Sequence, residues 1–292
     1  MKILVIGGTG FIGKKLVATL INLGYEVTVL ARRFVSDFPA KIVLGNILDS
    51  SSTRFLIKKE CPCIIIVLSW ITEKNSYRSS PENVLYMNAV VDLGLVSSSL
   101  GVKQFIALGS CAEYGDDMKD CVAGKTKLAP LDVYSLAKAD TFTKLKKYSE
   151  EGLLSLTWAR VFQPYGKDQD VKRLIPYVVS QFNQNRSPFI QNINRTNDWI
   201  TTRDIASALV SIIGPNPPLE IDIGTGISTS NMQIIETIAK FLEKEDLLIP
   251  LYGSNKTVDT KGLSVGKESY LLKNGWKPSD SIYTGIKWAI SN

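Results

Sequence analysis

The sequence of 292 residues predicts an α/β protein with a doubly wound parallel sheet and a smaller C-terminal α/β domain. Two observations support this fold class. Apolar strand patterns alternate with amphipathic helix patterns from the first residues onward, which is typical of a parallel sheet covered by helices on both faces. The first strand is an uninterrupted apolar run, as expected for a strand buried on both sides.

The first strand and the first helix enclose a glycine-rich turn. Residues 3–6 form the apolar run, and an amphipathic helix follows over residues 11–24. Gly7 permits a tight turn, Gly10 lets backbone N–H groups approach a pyrophosphate, and Gly13 lets the helix pack closely on the strand. The free N–H groups and the helix dipole favour an anion here. We therefore predict a Rossmann-type dinucleotide site made of Gly7, Thr9, Gly10, Phe11, Ile12 and Gly13.

The other elements of the first half follow from the same two periodicities. Strands are predicted at 26–30, 42–44, 63–68, 103–108 and 154–161, and helices at 51–59, 81–100 and 133–151. Ser51 or Ser52 is the expected N-cap of the helix at 51–59. The helix at 81–100 is expected to bury one face, made of Val84, Met87, Val91, Leu95 and Val96.

The regular alternation loosens near residue 162. We predict a loop over 162–170, helices at 171–185, 204–213 and 231–242, a strand at 219–223, and a loop rich in Gly, Ser and Thr after residue 242. This change predicts a cofactor-binding domain over 1–161 and a mainly substrate-binding domain over 162–292. Chain crossings between the two domains are expected.

Composition excludes several classes of function. Hydrophobic residues make up 45% of the chain and charged residues 21%, as in an ordinary globular protein. The chain has no histidine, which removes histidine-ligated metals and histidine-dependent catalysis. Four cysteines are too few for a disulfide framework, so we expect free thiols in a reducing cytoplasm and no metal site.

The formal net charge of +6 points to an anionic partner. The basic residues are scattered, without a long basic run or a series of stacking aromatics, so we expect no nucleic-acid partner. The charge is better suited to attracting a polyanionic small molecule. The chain enters a strand directly rather than a signal peptide, and its most apolar run, 63–71, is shorter than the ~18 residues of a membrane span. A cytoplasmic protein without membrane association is expected.

The end of the second predicted strand indicates which dinucleotide binds. An NAD enzyme usually has an acid there, about 20 residues beyond the glycine turn, that hydrogen-bonds the ribose 2′-hydroxyl. This sequence has Ala31, Arg32 and Arg33 instead. Guanidinium groups bind a 2′-phosphate bidentately, although a basic turn can also be merely solvated. Because the glycine turn is in register, we predict NADP (NADPH) as the cofactor, bound by Arg32 and Arg33.

A tyrosine and a lysine mark the start of the helix at 133–151. Tyr134 and Lys138 lie on one face, one turn apart, although such a pair is usually just exposed. A neighbouring ammonium lowers a phenol pKa from its usual ~10, so Tyr134 would exchange a proton with a substrate oxygen near neutral pH. Ser110 follows the fifth predicted strand, at the sheet end where such proteins place their sites, and would hold the same oxygen. The predicted catalytic residues are Ser110, Tyr134 and Lys138.

Together these motifs resemble the extended short-chain dehydrogenase/reductase superfamily, and in particular its nucleotide-sugar epimerases, dehydratases and 4-ketoreductases. The resemblance covers nearly the whole chain and implies that Lys138 also hydrogen-bonds the nicotinamide ribose. A stretch at 45–49 is similar to the family's adenine-contacting segment after the third strand. The further cofactor-binding residues that we assign on this basis are Asn46, Ile47, Leu68, Ser69, Asn88, Tyr134 and Lys138.

The same resemblance implies where a nucleotide sugar binds. Residues 110–115 resemble the loop with the catalytic Ser or Thr, and residues 160–166 resemble the strand end that faces the sugar nucleotide. Residues 173–176 and 198–200 resemble the diphosphate-binding elements. Asn197 stands where an arginine is usual, and Arg195 would replace it. The implied substrate-binding residues are Ser110, Cys111, Ala112, Gln163, Arg173 and Arg195.

Departures from the family pattern reduce the number of reactions that the resemblance allows. Dehydratases carry an Asp–Glu pair where this chain has Cys111 and Ala112, and fucose-synthase-like enzymes use a histidine. The resemblance thus implies NADPH-dependent reduction of the C4 ketone of a nucleotide-linked 4-keto-6-deoxyhexose, for a bacterial-type surface polysaccharide such as lipopolysaccharide O-antigen.

Two alternatives stay open. One is a 4-epimerase with tightly bound NAD, which an acid after the second strand would suit better than Arg32 and Arg33. The other is a non-catalytic dinucleotide-binding protein, although such relatives tend to lose the Tyr–Lys pair. Family members often pair the helices at 81–100 and 133–151 between two copies, so a homodimer is expected.

Overall fold

The computed structural model describes residues 1–73, 76–253 and 262–291. Seven parallel strands form one sheet, which confirms the predicted fold class. In spatial order they are β3 (Lys41–Leu44), β2 (Glu26–Ala31), β1 (Lys2–Ile6), β4 (Ile64–Val67), β5 (Gln104–Ser110), β6 (Leu156–Val161) and β9 (Glu220–Ile223). The chain order reverses between β1 and β4, and sheets of this kind bind ligands at the carboxyl ends of the strands beside such a reversal.

Helices cover both faces of this sheet. α1 (Phe11–Asn22) and α6 (Thr202–Ser211) pack on one face, and α2 (Ser50–Glu60), α3 (Glu82–Ser99) and α4 (Val133–Glu150) pack on the other. Successive side chains of β1 point to opposite faces of the sheet. Ile3 and Val5 join the hydrophobic core under α1 and α6, and Leu4 and Ile6 join the core under α2, α3 and α4. Both faces are apolar because both are buried.

The second half of the chain builds a smaller layer and also returns to the main sheet. A three-stranded sheet and the helices around it enclose a third core. The elements of this half outside the main sheet and its helices are β7 (Gln163–Tyr165), α5 (Leu174–Asn183), β8 (Thr196–Thr201), β10 (Ser228–Ser230), α7 (Asn231–Leu242), α8 (Ile249–Gly253), α9 (Tyr270–Lys273) and α10 (Ile282–Ile290). β9 then pairs in parallel with β6. The domain boundary at 161/162 stays a prediction.

Several predicted boundaries are corrected. The predicted loop at 162–170 contains β7, which forms because it pairs with β8. The helix predicted at 171–185 begins at Leu174, and Val171 is exposed. Among the described residues, the loop predicted after residue 242 contains a 3-10 helix, Glu245–Leu248, and the three α-helices α8, α9 and α10. Its portion at 254–261 lies outside the described residues.

Two side-chain predictions are corrected as well. The N-cap of α2 is Asp49, whose carboxylate accepts hydrogen bonds from Ser51 N and Ser52 N at 3.1 Å each. On α3, Val84 is exposed, and Leu95 and Val96 are only half-buried. The helix packs against both α2 and α4, so its buried arc is broader than one predicted stripe. That arc contains Asn83, Tyr86, Met87, Val90, Val91, Leu93, Gly94 and Ser97.

Candidate active site

The glycine turn lies at the carboxyl end of β1, against the chain that leaves β4. Gly7 has φ of +86°, and a Cβ on it would lie 2.7 Å from Ser69 Oγ. A Cβ on Gly13 would lie 2.6 Å from Gly8 Cα, so only glycine lets α1 begin this close to the turn. No described side chain caps the first turn of α1 at Gly10. The backbone N–H groups there are therefore available to an anion, and the turn fits a pyrophosphate. The predicted residues Thr9, Phe11 and Ile12 are half-buried in this turn.

Two other strand ends adjoin the glycine turn. Gly7 N donates to Leu30 O (3.2 Å), and Leu68 N donates to Ile6 O (2.9 Å). The ends of β2 and β4 therefore lie beside the turn. Arg32 and Arg33 continue from β2 with exposed side chains, and neither pairs with an acidic side chain of the described residues.

The remaining predicted cofactor residues lie in different environments, and not all of them are near the glycine turn. After β3, Asn46 Oδ1 accepts a hydrogen bond from Leu48 N (3.1 Å), which shapes the turn into α2. Ile47 is buried in the core beneath α2. Asn88 is exposed on α3, on the side of the helix away from the core. The structure therefore brings Leu68 and Ser69 to the glycine turn but does not bury Asn88 in a site.

The three predicted catalytic residues converge at the carboxyl end of β5. Ser110 is the last residue of β5, and Tyr134 and Lys138 lie in the first turns of α4. The capping box between Asp132 and Ser135 fixes where α4 begins. The phenol of Tyr134 lies near enough to Ser110 for the serine side chain to lower the pKa of the phenol. Both hydroxyls can therefore contact one substrate oxygen.

The pKa of Tyr134 moves in the direction opposite to the prediction. Burial raises the pKa of this phenol, while the neighbouring Ser110 side chain lowers it. Burial prevails because an ionised phenolate loses its hydration in this environment. Tyr134 is thus held in its protonated form, as a proton donor.

Lys138 is directed toward β5 instead of toward Tyr134. Its Nζ donates to Leu108 O (2.7 Å) and lies 3.7 Å from the ring centroid of Trp70, as a cation–π contact. Trp70 is itself fixed by donating from Nε1 to Asn83 Oδ1 (2.7 Å). Burial lowers the pKa of Lys138 to about 7, and the Glu113 carboxylate acts in the opposite direction.

A buried ion pair lies directly behind Ser110. Glu113, in the 3-10 turn Cys111–Tyr114, and Arg160, in β6, are both inaccessible to solvent, with Arg160 Nε 2.7 Å from Glu113 Oε2. Ser110 N donates to Glu113 Oε1 (2.7 Å), and Trp158 Nε1 donates to Glu113 Oε2 (3.0 Å). Arg160 also binds Glu220 Oε2 through Nη1 (2.7 Å). The strand end that carries Ser110 is therefore held by a charged network.

Sequence analysis missed Glu113 and Trp70 as components of the site. Ser110 and Glu113 have the spacing of a capping box, which was a usable signal. Trp70 has no such local signal, because its contact with Lys138 depends on how the chain after β4 folds back.

Two arginines of the second half reach the rim of this site. Arg173 Nη2 donates to Thr72 O (3.2 Å), and its guanidinium lies 5.5 Å from the ring centroid of Tyr77, which packs on Tyr134. Arg195 Nη2 donates to Asp116 O (2.9 Å) in the loop after the 3-10 turn. Cys111, Ala112 and Gln163, the other predicted substrate residues, are half-buried.

Asp198 does not face a ligand site, although 198–200 resembled a diphosphate element. Its carboxylate is fully buried and accepts hydrogen bonds from Thr225 N (2.7 Å), Gly226 N (2.8 Å) and Val265 N (3.1 Å). These three donors come from two loops. Asp198 therefore anchors those loops to β8.

Two features are absent from the described ranges, 1–73, 76–253 and 262–291. Within them, no three His, Cys, Asp or Glu side chains are grouped to hold a metal ion. No helix of these ranges is both long and apolar enough to cross a membrane.

Comparison with known proteins gives concordant results. A sequence profile of the NAD dependent epimerase/dehydratase family matches residues 3–224. A putative UDP-glucose 4-epimerase from Methanocaldococcus jannaschii is 25% identical over 304 residues, covering 99% of this chain and 97% of that protein. A GDP-6-deoxy-D-talose 4-dehydrogenase from Aggregatibacter actinomycetemcomitans is 26% identical over 243 residues, covering 82% and 80%. The crystal structure of Thermus thermophilus UDP-glucose 4-epimerase complexed with NAD has a TM-score of 0.81 at 19% identity, covering 99% and 97%, and therefore the same fold.

Proposed function

This chain belongs to the NAD dependent epimerase/dehydratase family, and from that premise we propose that it reduces the C4 ketone of a nucleotide-linked 4-keto-6-deoxyhexose with NADPH. The observation that carries the proposal is the Tyr134 phenol next to Ser110, with Cys111 and Ala112 beside them. This arrangement supplies one proton donor and lacks the acid–base pair that dehydration needs. The nearest acid, Glu113, is buried against Arg160 and is not available to a substrate.

Side chains of this protein would carry out the proton transfer that accompanies hydride transfer. The bound dinucleotide would supply the hydride, held at the glycine turn with Arg32 and Arg33 at its 2′-phosphate. Ser110 orients the carbonyl oxygen by a hydrogen bond. Tyr134 donates a proton to that oxygen as negative charge develops on it. Lys138 lies one helical turn from Tyr134, and its ammonium would offset the charge left on the tyrosine once its Nζ turns from Leu108 O toward the phenol. Ketone reduction needs a proton donor, and a phenol that burial keeps protonated can act as one.

The assay for this function uses a panel of nucleotide-linked 4-keto-6-deoxysugars incubated with NADPH. Loss of NADPH absorbance, with a 4-hydroxy sugar as product, is the expected result. An inert protein under these conditions would support a binding-only role instead.

A 4-epimerase is the second candidate, and the names of the relatives favour it. The M. jannaschii relative is named a UDP-glucose 4-epimerase, and the T. thermophilus structure is a complex with NAD. An epimerase must remove a proton from a hydroxyl before returning one, which a phenol of raised pKa does poorly. NAD retained through purification, with interconversion of C4 epimers, would establish the epimerase.

Cofactor preference gives the first mutational prediction. The double variant R32A/R33A should raise the KM for NADPH by roughly 10- to 100-fold, because it loses charged hydrogen bonds to the 2′-phosphate. The KM for NADH should change little. The variant K58A/K59A removes two lysines from α2 and is the matched control, expected to leave both KM values as in wild type. A wild-type protein that prefers NADH would contradict the assignment.

The second prediction concerns the nucleotide diphosphate. R173A and R195A should each raise the Kd for the nucleoside diphosphate of the substrate about tenfold or more, since losing one partner of a charged hydrogen bond typically costs ~2–5 kcal/mol. Affinity for NADPH should stay unchanged. Isothermal titration of UDP, GDP, CDP and dTDP measures this, with exposed Arg186→Ala as control. An arginine whose loss leaves all four affinities at the wild-type value is not a diphosphate ligand.

We also propose a homodimer that acts in the cytoplasm. α3, the start of α4 and the residues just before it expose apolar side chains, namely Val84, Leu85, Leu131, Val133 and Leu136. Since α3 packs against α4, these side chains would form one apolar patch at a dimer interface. The four free cysteines suit a reducing compartment. Sedimentation velocity would test the dimer.

A further inference from the structure

Glu113 and Lys138 approach each other across one indole ring. Lys138 Nζ lies 5.8 Å from the ring centroid of Trp158, and Trp158 Nε1 lies 3.0 Å from Glu113 Oε2. The lysine is 4% exposed and the glutamate 0%. An ammonium and a carboxylate therefore share a buried environment without forming a direct ion pair. At such depth their interaction is screened much less than at a surface.

The same carboxylate also determines the position of the serine. Glu113 Oε1 accepts the Ser110 N–H at 2.7 Å, and Arg160 Nε holds the other oxygen at 2.7 Å. A Cβ on Gly109 would lie 2.6 Å from Glu113 Oε1, so the strand passes directly over the carboxylate. Any displacement of Glu113 would therefore move Ser110.

We propose that Glu113 is a positioning residue of the catalytic centre, which fixes the Ser110 backbone and supplies the counter-charge that keeps Lys138 an ammonium. The inference rests on the proposed role of Lys138 beside Tyr134. It assigns a function to a residue that touches neither substrate nor cofactor.

The groups around Lys138 leave Glu113 as its source of negative charge. β5 contributes the Leu108 carbonyl, and the chain after β4 contributes the Trp70 ring, which packs on Tyr86 of α3. Its own helix contributes neutral Tyr134, and β6 contributes the Trp158 ring and the Arg160 guanidinium. The positive charge of Arg160 disfavours an ammonium at Lys138. Glu220 and Glu113 both pair with Arg160 and compensate its charge. Among these described groups, Glu113 and Glu220 are the acids, and only Glu113 contacts the ring beside Lys138.

The first test is the pH profile of kcat. Activity that requires the Lys138 ammonium falls as pH rises through its pKa of about 7. E113Q keeps the size of the side chain and removes its charge, so the falling limb should move to lower pH by roughly 1–3 units. E220Q is the matched control, because Glu220 binds the same guanidinium at 2.7 Å without a described contact to Ser110 or Lys138. The falling limb of the pH profile of E220Q should stay at the same pH as in wild type. Equal profiles for E113Q and wild type would overturn the proposal.

The second test does not depend on activity, so it separates this inference from the proposed reaction. Unfolding by urea is measured for wild type, E113Q, K138M and the double variant. The cycle isolates the Glu113–Lys138 coupling from the hydrogen bonds that the E113Q substitution weakens. A folded-state pKa of about 7 means that Lys138 is charged below this pH and becomes neutral above it. A stabilising coupling at pH 6 that vanishes by about pH 9 is the expected result. Zero coupling at pH 6 would overturn the inference even for an active reductase.

Discussion

Replacing Tyr134 with phenylalanine is expected to lower kcat by roughly 10²- to 10⁴-fold while binding of NADPH and nucleotide sugar survives. Phenylalanine keeps the ring that packs edge-on against Trp70 and Tyr77. It removes only the hydroxyl near Ser110 that would donate the proton. Steady-state kinetics give kcat, and isothermal titration gives the two affinities.

The matched control for this variant is Tyr86→Phe. Tyr86 also packs on Trp70, with ring centroids 5.8 Å apart, and is not the neighbour of Ser110. Its loss of a hydroxyl should change kcat by no more than a few-fold. Near-normal turnover of Y134F would show that another group or water protonates the substrate oxygen.

Replacing Arg160 with methionine is expected to have the largest effect on stability. Arg160 and Glu113 are both fully buried, and the guanidinium lies 4.7 Å from the Phe142 ring centroid. Removing one partner of a buried ion pair leaves an uncompensated buried charge and costs about 3–5 kcal/mol of unfolding free energy. Denaturant titration of R160M measures the loss.

Two further variants make this prediction specific. Lys273→Met breaks an exposed pair with Glu268, whose side chains are 64% and 66% exposed, and should cost less than about 1 kcal/mol. R160M leaves Glu113 and Glu220 without their guanidinium partner, and R160M/E113Q removes the charge of the fully buried one, so it should be more stable than R160M alone. A double variant as unstable as the sum of both single losses would show that the cost comes from packing instead.

Local patterns predicted the elements that local interactions decide. The helix predicted at 231–242 is observed as Asn231–Leu242, where a capping box between Ser230 and Gln233 marks its start. β7 and β8 were not predicted, since they pair across more than 30 residues of chain, and β8 also pairs with β10. Short strands of this kind have no strong sequence pattern, because tertiary pairing outweighs propensity.

The features of the site also divide into those that local sequence predicts and those that depend on tertiary contacts. The glycine turn, Ser110, Tyr134 and Lys138 could be picked out because each belongs to one strand end or one helix turn. The contacts of Arg195 with Asp116 and of Lys138 with Trp70 depend on loop paths that no spacing specifies. The pKa of Tyr134 was predicted in the wrong direction because sequence reveals a neighbouring lysine but not the depth of burial.

The pairing of β9 with β6 has a consequence for how the protein is made. Residues 220–223 emerge from the ribosome long after residue 161, roughly 3–12 s later at about 5–20 residues per second. Throughout that interval the nascent sheet has an open edge along β6, of the kind that invites pairing with other chains. Arg160 lies on this edge and still lacks Glu220, the first residue of β9. Synthesis, rather than the finished structure, is therefore the stage at which this sheet is most exposed to misassembly.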